Sequence, residues 1–226
     1  MYNEEKTYRD GIAGIIQRIS NFWYHNKSAL IISIVGLFVL AVILYQCTSR
    51  IPPDADVMYA GPLDLGVINQ RQLQEAFDEI LGVDLNGDGR IHVGLTVFYY
   101  VRSVLISEND RQIVDNTFNP TVRQQIDLEV MTGDSVIFLL SPEIYANLRE
   151  RDVLMPLSEA LGSMPAAAVD AYSIRLSALE VYETTALSGL PEDTLIAVRA
   201  HRTANPNTEA LERHSRGIIL LRNMLG

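Results

Sequence analysis

The chain has 226 residues and a mass of 25.2 kDa, room for one ordinary domain with extra segments. Its 28 acidic side chains outnumber its 18 basic ones, a formal charge of −10 that argues against nucleic acid as a partner. The apolar content of 48% and mean hydropathy of +0.10 are globular only on average, because much of the apolar character is gathered in one stretch.

That stretch is residues 28–49, which hold no charged side chain over 22 positions. As a helix it is about 33 Å long, enough to cross a hydrocarbon core of about 30 Å. Trp23 and Tyr24 stand where an interfacial aromatic belt belongs, and no small-x-small site follows the run, so the reading is a retained transmembrane helix and not a cleaved signal peptide. Lys6, Arg9, Arg18 and Lys27 precede it, whereas only Arg50 follows it before Asp54 and Asp56. This asymmetry puts residues 1–27 in the cytoplasm and everything beyond the helix outside, in the cell membrane as a single-pass protein. Without the first 27 residues the chain keeps 14 bases and 25 acids, so the exported part is acidic. Cys47 is the sole cysteine. The domain therefore has no disulfide, which suits export in a bacterium, and Leu44, Tyr45 and Gln46 are too bulky for a lipobox before that cysteine.

Residues 50–54, with Pro52 and Pro53, form a short stiff tether that keeps the domain of residues 55–226 close to the bilayer. Residues 55–60 (ADVMYA) read as a strand that Gly61 and Pro62 break. Residues 67–81 place Ile68, Leu73, Ala76, Phe77, Ile80 and Leu81 at helical spacing, and Gly82 ends that helix. Residues 91–101 are rich in Val, Tyr, Phe and Thr and predict a strand long enough to be central. Residues 116–133 predict a helix capped by Asn119, with Pro120 in its first turn, Val122, Ile126, Val130, Leu128 and Met131 on its apolar face, and Gly133 as its stop. The apolar run 135–140 (SVIFLL) has the look of a fully buried parallel strand. Pro142 opens a helix to Leu148, another covers residues 157–161, residues 172–179 and 194–198 read as strands, and residues 208–225 as a closing helix. Alternating strands and helices predict an α/β domain with a mostly parallel three-layer sheet and one or two antiparallel strands from the tail.

Two local patterns bear on function. Residues 84–91 (DLNGDGRI) carry oxygens at the first, third and fifth places, Asp84, Asn86 and Asp88, with Gly89 at the sixth and the Arg90 carbonyl at the seventh. The pattern resembles the calcium loops of EF-hand and dockerin proteins and implies Ca2+ as a cofactor on those four residues. It departs from them at the twelfth place, where Leu95 replaces a carboxylate, and the same residues make a good helix-to-strand turn with no ion. Neither His92, His201 nor His214 has a Gly-x-Ser-x-Gly, Cys or His-x-x-x-His partner near it in the sequence, so each reads as structural and the domain as non-enzymatic.

The second pattern is the run 129–161, EVMTGDSVIFLLSPEIYANLRERDVLMPLSEAL. Its Gly133-Asp134 pair, the strand ending at Ser141, the short helix 143–148 and the step Leu154-Met155-Pro156-Leu157 are similar to the first lobe of bacterial extracellular solute-binding proteins, and the whole looks like membrane-anchored proteins of clostridia-like bacteria. The resemblance covers about half the chain and implies a periplasmic-binding-protein-like lobe that takes a small solute, with a transporter or other membrane protein as partner. Those proteins have two lobes, and only about 170 residues follow the tether here, so a closing second lobe is not implied. Open α/β sheets hold ligands at the carboxyl ends of their parallel strands. The expected ligand residues are therefore Tyr59 and Gly61 after the first strand and Ser141 and Glu143 after the third. The competing reading is an accessory protein that docks a membrane partner and binds no small molecule.

Overall fold

The computed structural model describes residues 23–24, 27–29, 31–44, 52–101, 119–132, 134–200 and 208–226; Cys47, Gly133 and His201 lie outside them. The chain divides into two compact units, Met1–Ile51 and Pro52–Gly226. The first contains an apolar helix, Lys27–Leu44, with a mean hydropathy of 2.6, long and apolar enough to cross a membrane. Its large side chains, among them Leu37 and Phe38, are exposed.

The second unit is a mixed α/β domain. Its strands are β1 (Ala55–Gly61), β2 (Val93–Tyr99), β3 (Ile137–Leu140), β4 (Leu154–Met155), β5 (Ser173–Arg175) and β6 (Leu195–Arg199). Its helices are α1 (Gly66–Leu81), α2 (Asn119–Thr132), α3 (Pro142–Glu150), α4 (Leu157–Leu161), α5 (Glu180–Thr184) and α6 (Thr208–Leu225). The six-stranded sheet runs β2-β1-β3-β6-β4, and β5 pairs with β6 beside β4. β1 is parallel to β2 and β3, whereas β6 is antiparallel to β3, β4 and β5, so five strands point one way and β6 alone runs against them.

Side-chain alternation along the strands builds a core on each face. Val57, Tyr59, Ile137, Leu139, Ile196 and Val198 face one cluster with Leu73, Phe77 and Leu81 of α1 and Leu220 and Leu221 of α6. Met58, Ala60, Phe138, Leu140 and Ala197 face the other, with Val122, Ile126 and Val130 of α2 and Ile144, Tyr145 and Leu148 of α3. The crossover through α1 thus covers one face, and the crossover through α2 returns across β1 on the opposite face. Burying Phe77 or Leu81 fully contributes about 1.5–3 kcal/mol each before ordering costs are counted. Gly82 ends α1 in the left-handed conformation that its missing Cβ permits, φ 64°.

Several expectations need correcting. β2 is an edge strand that pairs only with β1 among the described strands, not a central one, and its residues are mostly half-buried. A strand rich in Val, Thr, Phe and Tyr has the same composition at an edge and at the centre, so the pattern does not separate them. Ile68, Leu128 and Met131 are exposed instead of facing the core. In each helix the buried stripe is narrower than the apolar one. Asn119 is the first residue of α2, and its amide holds the segment after β2, Val101 N–H donating to Oδ1 at 3.2 Å and Nδ2 donating to the Val101 carbonyl at 2.9 Å. The strand expected over residues 172–179 stops at Arg175 and continues as a turn of 3-10 helix, Leu176–Ala178.

Candidate functional site

Because β1 and β3 are parallel neighbours, their carboxyl ends meet. The Ser141 N–H donates to the Ala60 carbonyl at 2.9 Å, and the Tyr100 N–H donates to the Gly61 carbonyl at 2.8 Å. One crossover leaves β1 for β2 and the next enters β3 on its other side, so this is the point at which the strand order reverses.

Of the four residues expected here, Gly61 and Ser141 are brought together and the other two have different tasks. Tyr59 is not a wall open to a ligand. It is 1% exposed and lies in the core beneath α1, with its hydroxyl accepting from the Leu63 N–H at 3.2 Å. That phenol crosses directly over Gly61, where an added Cβ would stand 2.4 Å from the oxygen. Gly61 therefore makes room for Tyr59, not for a ligand atom at that place. Glu143 is exposed on the first turn of α3 and lines a cavity of about 110 Å³ between α2 and α3, together with Arg123, Asp127, Asn147 and Arg151. The charges there are mixed: Arg151 pairs with Asp127, and Arg123 donates to the Tyr100 hydroxyl at 2.6 Å with its guanidinium over that ring.

Ser141 precedes α3 in extended conformation, the usual cap geometry, yet its hydroxyl accepts no bond from the helix amides. The residue is 2% exposed, and its Oγ has no hydrogen-bond partner among the described residues. Buried hydroxyls are nearly always bonded, because an unmade bond costs about 1–3 kcal/mol.

The opposite end of β1 is bonded throughout. Asp54, fully buried, accepts from the Leu85 and Asn86 N–H groups through Oδ1 at 2.7 and 2.9 Å and from the His92 N–H through Oδ2 at 2.9 Å. It thereby clamps both ends of the loop of residues 84–90 to the start of the sheet. Inside the loop, Asp84 accepts from Gly87 and Gly89 at 2.6 and 2.7 Å, Asn86 Oδ1 accepts from Asp88 N–H and Asp88 Oδ1 from Arg90 N–H, each at 2.9 Å. The bond from Gly89 N–H, opposed by desolvation and helped by the Gly87, Asp88 and Asn86 amides, holds the Asp84 carboxyl below its usual range. Gly87 and Gly89 take positive φ, 78° and 83°. Leu95, at the twelfth place of the calcium pattern, lies in β2 and packs on the core. Among the described residues no three His, Cys, Asp or Glu side chains are grouped as a metal ligand set. The bonds that are present hold the segment as a turn from Asp84 to Arg90.

Further charges gather beside this end. Burial raises the Asp56 carboxyl, a rise that the Arg213 charge opposes and the Glu129 charge assists, while burial lowers the Arg199 guanidinium. His92 faces Gln74, whose Nε2 is 2.9 Å from its Nδ1. On the other face Asp170 accepts from the Tyr145 hydroxyl at 2.7 Å, the Ser173 hydroxyl at 3.0 Å and Arg149 at 3.0 Å. Burial alone would raise Asp170, but the bonds from Tyr172 N–H, Tyr145 and Ser173 and the Arg149 charge leave it lowered. Tyr145 is pushed up to about 12, mainly by burial. Asp54 and Asp170 carry no motif that sequence reading weighs. Asp170 does have a local signal, the Asp-x-x turn in which its carboxylate accepts from Tyr172 and Ser173 N–H.

Comparison with family models, with curated proteins and with solved structures finds no match for this chain.

Proposed function

We propose that the chain is a membrane-anchored binding or accessory protein without catalytic chemistry. In this reading the apolar helix is the anchor, the basic N-terminal flank is cytoplasmic, and the Pro52–Gly226 unit is extracytoplasmic, working as a single solute-binding-protein-like lobe. One observation carries it: β1 and β3 are adjacent and parallel, and their ends meet at Gly61 and Ser141, the place where open α/β sheets take ligands. An enzyme reading has less support, since His92 is engaged with Gln74.

A thermal-shift screen of the full chain in detergent against amino acids, organic acids and sugars tests the reading. Stabilisation by one chemical class, lost on substitution at Ser141, supports it. Equal response of wild type and the Ser141 variant to every stabilising compound would overturn it. A second reading, docking of a membrane protein such as a transporter subunit, is favoured by Val67 and Ile68, which are 84% and 75% exposed at the start of α1. Photocrosslinking from position 68 in intact cells separates the two. Orientation is tested by protease on wall-stripped cells, which digests the domain if it is outside and removes only an N-terminal tag if the topology is inverted.

A further inference from the structure

We infer that the turn joining β3 to α3 is the seat of a carboxylate group on a small ligand, an inference that rests on the binding reading and names the chemistry of its site. Two independent observations meet there. The first is the start of α3, a helix of nine residues whose Glu143 and Ile144 N–H groups find no acceptor among the described residues; the first bond of the turn is Tyr145 N–H to the Ser141 carbonyl at 2.9 Å. The second is the Ser141 hydroxyl, 98% buried and unpartnered at the same turn. A capping serine ordinarily uses its oxygen on these amides, and here the hydroxyl and the amides of the same turn are both unengaged among the described residues.

The three groups can all donate, one O–H and two N–H, and the helix dipole adds a partial positive charge at this turn. A carboxylate fits that set: its two oxygens offer four acceptor positions, and one negative charge suits a partial positive one. A dianion such as phosphate fits worse, because Glu143 stands on the first turn and the exported part of the chain is acidic. Pro142 and Glu143 are exposed at this turn, and Ser141 beside them is buried.

The test uses the full chain in a maltoside detergent, labelled with 15N at Glu and Ile, and titrates sodium acetate against sodium chloride at equal ionic strength. Saturable shifts of the Glu143 and Ile144 amides are expected, weakened roughly tenfold by Ser141→Ala, as loss of one bond to a charged group requires. Ser141→Asp supplies a carboxylate from the chain itself, so the acetate response disappears and melting moves to a higher temperature. Absence of saturable shifts at the two amides in the wild type overturns the assignment, and that measurement stands even if a variant fails to fold. Shifts indifferent to Ser141→Ala overturn it too, as does a stronger response to inorganic phosphate than to acetate. A response to neutral erythritol alone overturns the carboxylate and leaves the binding reading intact.

Discussion

The two ends of β1 treat buried polar groups in opposite ways. At the amino end the Asp54 carboxylate is fully buried and receives three backbone bonds, so its desolvation is offset and it locks a loop in place. At the carboxyl end the Ser141 hydroxyl is just as deeply buried and receives none. The contrast separates scaffold from candidate site: a satisfied buried group reports structure, and the unsatisfied one stands where the proposed ligand would bind.

The largest expected effect comes from breaking the satisfied end. Asp54→Ala leaves three amides without their acceptor and should lower unfolding free energy by about 3–5 kcal/mol in denaturant melts, with Asp54→Asn recovering part of the loss. At the other end Gly61→Ala drives a methyl group into the buried Tyr59 phenol, an overpacking cost of about 1–3 kcal/mol. Ser141→Ala removes a hydroxyl with no partner, so its melting curve should stay within about 0.5 kcal/mol of wild type. A loss larger than that would mean the hydroxyl is bonded and would erase the contrast.

Legibility follows the same division. β1, α1 and β3 were readable because their patterns are local: a helical stripe ended by Gly82, and a continuous apolar run that only a strand buried on both faces requires. Ser141 was readable as the residue between β3 and Pro142. Asp54 was not, since its partners lie 31 to 38 residues away and leave no spacing to recognise. Position in the sheet was equally hidden, because β2 advertises its composition and not its neighbours. The calcium-like loop shows how one pattern serves two readings: Asp84, Asn86 and Asp88 sit at the places a metal loop uses, and the same side chains bond the backbone of the turn.

Smaller effects sharpen the picture at the amino end. Calcium titration by calorimetry should give the same heat for wild type and for the Asp84→Ala, Asp88→Ala double variant, leaving the loop a turn; heat that only the wild type shows would restore the metal. Acidity divides the carboxylates by sign. The Asp56 carboxyl is raised by burial, so the folded state takes up its proton first and stability from this group grows as pH falls through the raised value toward 3.8. Asp84 and Asp170 are lowered, so their contribution is present above 3.8 and is lost only as pH falls below it. A melting-temperature profile should therefore lose a small acid-side gain in Asp56→Asn and keep its decline at lower pH.

The reversed strand β6 has a consequence for the order in which the molecule can be made. β3 holds four fully apolar residues, Ile137 to Leu140, and one of its two edges is covered only by residues 195–199. A growing chain that has delivered β1, β2 and β3 therefore carries a sticky seam for more than fifty further residues, the interval in which strand edges recruit wrong neighbours. Truncation before Leu195 removes the strand that pairs with this edge, so the shortened chain should self-associate where the full chain does not.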